Sequence, residues 1–167
     1  MKIFKQSTYE TCLTCCLLMV AEKDKKDEIE IWKHDWKFNY LIGQLNYIAS
    51  RYNKKIEAYI ENKYYFNQLL KQKVNGIKLL NKRINTQSLS EFLKKDKVIV
   101  YLDNYYLQKI LHAPHFIVAI RQNKDVIEIA DPFDGKIKKI PIQIVNKAIS
   151  SLRNHLKYSP VLIKIPV

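Results

Sequence analysis

The stretch that most constrains this 167-residue chain is Cys12-Leu-Thr-Cys-Cys-Leu-Leu-Met-Val-Ala21, a run without a single charge. Only Thr14 and the cysteines interrupt its aliphatic side chains, and all of them tolerate burial. A helix apolar on every side is a helix buried on every side, so the run predicts a central helix enclosed by the rest of the fold. The polar lead-in supplies its start. Ser7, Thr8 and Thr11 are all N-cap residues, and Ser7-x-x-Glu10 has the form of a capping box. Cys12 is thereby placed on the first turn, where free N–H groups and the positive end of the helix dipole favour a thiolate.

Length fits one domain, residues 1–167, with a core of its own. No apolar run approaches the ~20 residues of a membrane span, and the early apolar stretch, lying late and holding three cysteines, does not read as a signal peptide. Two of those cysteines are adjacent, which suits no tidy disulfide framework and points to a reducing, cytoplasmic setting. The net charge is +13, mostly from lysine. These lysines are scattered in runs of no more than two, and arginine is scarce, so the charge reads as a solvated surface and not as a nucleic-acid site.

Further along, residues 22–30 read as a charged, exposed connection, and Trp32 and Trp36 suit one face of a short helix. Leu41, Leu45, Ile48 and Tyr52 predict a helix over 40–52, followed by a short strand at 56–60 and a helix over 63–73. Residues 77–84 are ambiguous. Ser88-x-x-Glu91 is a second capping box, opening a helix through Phe92 and Leu93. Strands follow at 98–102, 115–120, 126–130 and around Ile137–Ile140, then a helix from Ile142 to Leu156 and a last strand at 161–165. Helices first and an antiparallel sheet second predict an α+β fold.

A nucleophilic cysteine needs a base in reach, and the base needs an orienting partner. The hairpin between Ile120 and Val126 offers both. With an odd loop, Arg121 to Asp125, His115 pairs directly opposite Asp131; with an even loop the two fall on opposite faces. The odd register is the expectation, with Asp131 holding the imidazole and the second ring nitrogen facing Cys12. The Gln6 side-chain amide and the Cys12 backbone N–H can then donate to a developing oxyanion.

Gln6, Cys12, Cys16, Leu17 and Met19, with His115-Phe-Ile-Val and Ala130-Asp131-Pro132, fall in the order and spacing of a known family. The chain resembles the bacteriocin-processing, double-glycine leader peptidases, family thirty-nine of the papain-like cysteine peptidases. The match covers both ends of the chain well and residues 22–85 loosely. The resemblance implies a papain-like fold, its N-terminal helical part packing the central helix on the sheet. It implies Cys12 as nucleophile, His115 as general base, Asp131 as its orienter and Gln6 as oxyanion donor, without cofactor or metal. It also implies a peptide or protein substrate cleaved after a small-residue pair. Since no transporter follows in this chain, a stand-alone member associated with a separate transporter or partner protein is expected. Leu13 stands where the family commonly has Gly, so it is expected to narrow or alter the substrate site. Tyr105, Tyr106 and His112, on the loop before His115, are candidates to border the cleft or to pack that loop.

Other readings use the same residues. Acyltransferases and deamidases on this fold share the thiol chemistry, and a silent peptidase-like module would bind a peptide or partner protein. Cys12-x-x-Cys15 has the form of a redox pair, but only a βαβ context would support it. Cys12, Cys15, His112 and His115 match zinc ligands in number, with a His-x-x-His spacing tighter than usual. His34 and His155 carry no signal.

Overall fold

A computed structural model describes residues 1–34, 39–72 and 74–166. The uncharged run is helix α1, Cys12–Ala21, and all of it except Val20 is buried. Its one hydroxyl is satisfied internally: Thr14 Oγ1 donates to Gln44 Oε1 at 2.7 Å. Because every face of α1 is apolar, it takes neighbours all round. Strands β3 (Val98–Asp103) and β4 (Pro114–Asn123), together with helices α2 (Glu28–His34) and α3 (Tyr40–Tyr52), pack against it.

The remaining elements are β1 (Ile56–Ile60), α4 (Lys63–Leu70), β2 (Ile77–Asn81), α5 (Thr86–Leu93), α6 (Tyr105–Gln108), β5 (Val126–Asp131), β6 (Lys136–Pro141), α7 (Ile142–Asn154) and β7 (Val161–Lys164). They confirm an α+β chain. Among the described residues seven strands form one sheet, in the order β2-β1-β7-β3-β4-β5-β6. The sheet is mixed, not purely antiparallel, because β1 and β2 run parallel across the α4 connection. Strand alternation splits the core in two. Ile99, Phe116, Val118 and Ala130 join the α1 cluster, while Val98, Val100, Ile117, Ala119, Ile127 and Ile129 join Val145, Ala148, Ile149 and Leu152 of α7. Among the described residues no helix is long and apolar enough to cross a membrane.

Several local expectations are corrected. The Ser7–Glu10 capping box is not formed: Thr11 is the N-cap of α1 without a side-chain cap bond. Ser7 instead gives its N–H and hydroxyl to Glu28, both at 2.7 Å. Glu28, expected in an exposed connection, is therefore buried at the start of α2 and anchors the lead-in to α1. The second capping box is Asn85 with Ser88, one turn earlier than Ser88 with Glu91. Helix α4 ends at Leu70, short of residue 73, and the ambiguous segment is strand β2. Trp32 lies on α2; Trp36 falls outside the described residues.

The β4–β5 hairpin solves the register differently from the expectation. Its turn is even, Lys124–Asp125, with Asn123 opposite Val126. Alone, that would put His115 and Asp131 on opposite faces. A bulge between Ala119 and Arg121 makes Ile120 the extra residue, and beyond it Ala119 faces Ile129 and Val118 faces Ala130. Continuing that frame puts Asp131 opposite Ile117, with His115 one diagonal step away on the same face. Diagonal neighbours remain within reach of a histidine ring.

Candidate active site

The turn after β5 brings the parts together. Gly135 has φ +70°, and a Cβ there would meet the main chain and Cβ of Lys5 at 3.0 Å. Glycine thus permits both the turn and the close passage of the N-terminal segment. The Gln6 N–H donates to Pro132 C=O at 2.8 Å, which ties Gln6 to the residue following Asp131. Gln6 Oε1 is buried and accepts no hydrogen bond among the described residues.

His115 Nε2 donates to Asp131 Oδ1 at 2.9 Å, and both side chains are buried. The imidazole also hydrogen-bonds the Cys12 thiol, which leaves Nδ1 as the ring nitrogen on that side. Burial opposes a charged Cys12. The hydrogen bond and charge of His115, followed by the N–H groups of Phe116 and Leu13, outweigh it and hold the thiol below its ordinary value. Burial likewise opposes the imidazolium, yet Asp131 and then the thiolate raise His115 above the usual histidine range. Burial opposes the Asp131 carboxylate too, but the hydrogen bond and charge of His115, then Lys138 and the Phe133 N–H, outweigh it and bring Asp131 down to about 2. The three groups therefore favour thiolate, imidazolium and carboxylate together.

The other two thiols behave oppositely. Burial first, and Glu28 second, push Cys15 up; its thiol donates to Glu28 Oε1 at 3.3 Å. Burial and the neighbouring thiols push Cys16 well up. Of the three free cysteines, only Cys12 is prepared as a nucleophile.

Two residues unforeseen in the sequence complete the carboxylate's environment. Gln108 Nε2 on α6 donates to Asp131 Oδ2 at 2.6 Å, and Lys138 Nζ on β6 donates to the same oxygen at 2.7 Å. Lys138 also pairs with Asp134 at 2.9 Å. Extending the strand pattern beyond the Asp-Pro turn would have found Lys138, because Asp131 pairs with Lys136 and Lys138 shares that face. Gln108 offered no comparable signal, since it arrives on a short helix within a segment read as loop.

The expected cleft residues separate. Leu13 is completely buried in the α1 core, so its side chain presents no surface to a substrate. His112 Nδ1 donates to Asp103 Oδ2 at 2.6 Å, and its ring stacks on Tyr105 at 4.2 Å and meets His155 at 4.5 Å. Tyr106 lines a shallow depression there with His112 and His155, and Cys12 is not among its lining residues. With His112 held on Asp103 and Cys15 on Glu28, the four residues suggested as zinc ligands form no cluster. No group of His, Cys, Asp and Glu among the described residues is arranged to hold a metal ion.

No protein-family model matches the chain, and no curated protein matches it either.

Proposed function

We propose that the chain is a papain-like cysteine peptidase or related thiol acyl-hydrolase, akin to the double-glycine leader peptidases it resembles. One observation carries the reading: an Asp131-oriented His115 ring stands against the lone acidified thiol, at the first turn of a buried helix.

In this mechanism the Cys12 thiolate attacks the substrate carbonyl carbon. The oxyanion forms beside the Cys12 backbone N–H, with the Gln6 amide as second donor. His115, protonated on Nδ1, gives that proton to the leaving amine, and the C–N bond breaks to leave a thioester on Cys12. Water then attacks the thioester as His115 takes its proton. The carboxylic acid departs, and the thiolate–imidazolium pair is restored. Throughout, Asp131 holds Nε2 and keeps the ring from turning.

The test is mass-spectrometric detection of cleavage in a diverse peptide pool, with Cys12→Ala as control. Cleavage by the wild type alone is expected. Identical pools would sink the hydrolase reading, and peptide retained without cleavage would favour the silent binding module.

A further inference from the structure

Beside Cys12 lies a cavity of about 490 Å³ walled by five aromatic rings: Tyr40, Tyr65, Tyr101, Phe116 and Tyr158. Phe116 belongs to both places. Its backbone N–H bonds the Cys12 sulfur, and its ring stacks on Tyr101 at 4.1 Å within the cavity wall. From the helical side, the Tyr40 hydroxyl donates to Glu10 C=O at 3.1 Å, two residues before the nucleophile. Tyr158, half exposed and edge-on to Tyr101 at 6.2 Å, forms the mouth. The cavity opens to solvent at Tyr158; Cys12 is not itself among its lining residues, and Phe116 and Tyr40 join its wall to the start of α1.

We propose that this cavity is the specificity pocket of the Cys12 site, taking an aromatic or long aliphatic side chain within two residues of the reacting carbonyl. The inference rests on the thiol reading above and goes beyond it by naming the substrate class. Its volume lies within the range of pockets built for a sizeable apolar group. Aromatic walls gain their binding energy by excluding water over large flat faces. A pair of glycines would leave those faces wet, so the preference departs from the small-residue pair that the family resemblance implies. Phe116 couples recognition to chemistry, because a side chain seated on its ring brings the adjoining peptide to the sulfur that its N–H holds.

The test uses three acetyl-dipeptidyl fluoromethyl ketones, Gly-Gly, Gly-Phe and Phe-Gly, in which the thiolate displaces fluoride to leave a thioether. Labelling of Cys12 is followed by mass spectrometry, and each rate is divided by the same protein's iodoacetamide rate. At least one Phe reagent is expected to exceed Gly-Gly by about tenfold or more. That advantage should shrink to less than about threefold in Tyr158→Ala or Tyr40→Ala, both at partly exposed rings. Gly-Gly reacting as fast as both Phe reagents overturns the proposal, as does a Phe advantage that persists undiminished in both variants. If wild-type Cys12 reacts with iodoacetamide no faster below pH ~8.5 than a free thiol, the thiol reading itself has failed and the pocket falls with it.

Discussion

Two histidine–aspartate pairs among the described residues, His112–Asp103 and His115–Asp131, differ in what stands beside them. His112 and Asp103 are the closer, at 2.6 Å against 2.9 Å for His115 and Asp131. Both carboxylates are fully buried, but the His112 side chain is 36% exposed and that of His115 only 5%. Asp103 also accepts from Ser151 Oγ at 2.6 Å and from the N–H groups of Tyr105 and Ala113. That pair ties both ends of residues 103–113 to α7 and places no nucleophile against the imidazole. Its neighbour braces less backbone but stands against a thiol at a helix start. A short His–Asp bond is therefore not a catalytic signature; the third group decides the role.

The contrast is broken most sharply by removing each histidine. His115→Ala is expected to slow Cys12 alkylation at pH 6 by about a hundredfold or more, since the thiol loses the charge that acidifies it. His112→Ala should leave that rate within about threefold. Equal losses, measured by mass-resolved labelling, would erase the distinction.

Stability should rank the aspartates in the opposite order. Asp103→Asn leaves a buried network short of its acceptor and is expected to cost about 3 kcal/mol in denaturant unfolding, more than Asp131→Asn. A larger cost at Asp131 would show that the reacting pair, not the brace, carries the loop.

The Asp131 contribution also has a pH signature. Its folded pKa is depressed to about 2, so its stabilisation is present above the unfolded value of ~3.9 and disappears as pH falls through the folded value. The stability gap between wild type and Asp131→Asn should shrink by about 2 kcal/mol between pH 6 and pH 2. A constant gap would contradict the depressed pKa.

The smallest effect concerns Lys138, which competes with His115 for the Asp131 charge. Lys138→Met leaves that charge to the imidazolium alone, so the His115 pKa should rise further, by about one unit. NMR titration of the ring reads it directly, and an unmoved value would reduce Lys138 to a brace like Ser151.

The difference between the pairs was partly legible in the chain. An uncharged run after polar N-cap residues can only be a buried helix, and the strands around His115 and Asp131 follow from their β-branched content. The site failed to read through at points where one residue changes parity or where a partner is remote. The bulge at Ile120 inserts a residue that no turn motif announces, and it alone restores the shared face of His115 and Asp131. Ser7 has the pattern of a local cap because its actual partner, Glu28, lies in a sequence that looks like surface until α2 folds onto α1. The sequence places His112 only on the loop before His115; its bond to Asp103, and through it to Ser151 of α7, joins residues that no local motif links. Leu13 faces the core for the same reason α1 was recognisable, because a helix apolar all round leaves no side for a cleft.

The most direct measurement is the pH profile of iodoacetamide alkylation, resolved to individual cysteines, in wild type and His115→Ala. Cys12 alone should react quickly well below pH ~8.5, Cys15 and Cys16 should stay inert, and the His115 change should abolish the fast reaction. A Cys12 that reacts no faster than an ordinary thiol, or one indifferent to His115, would contradict the thiolate–imidazolium pair.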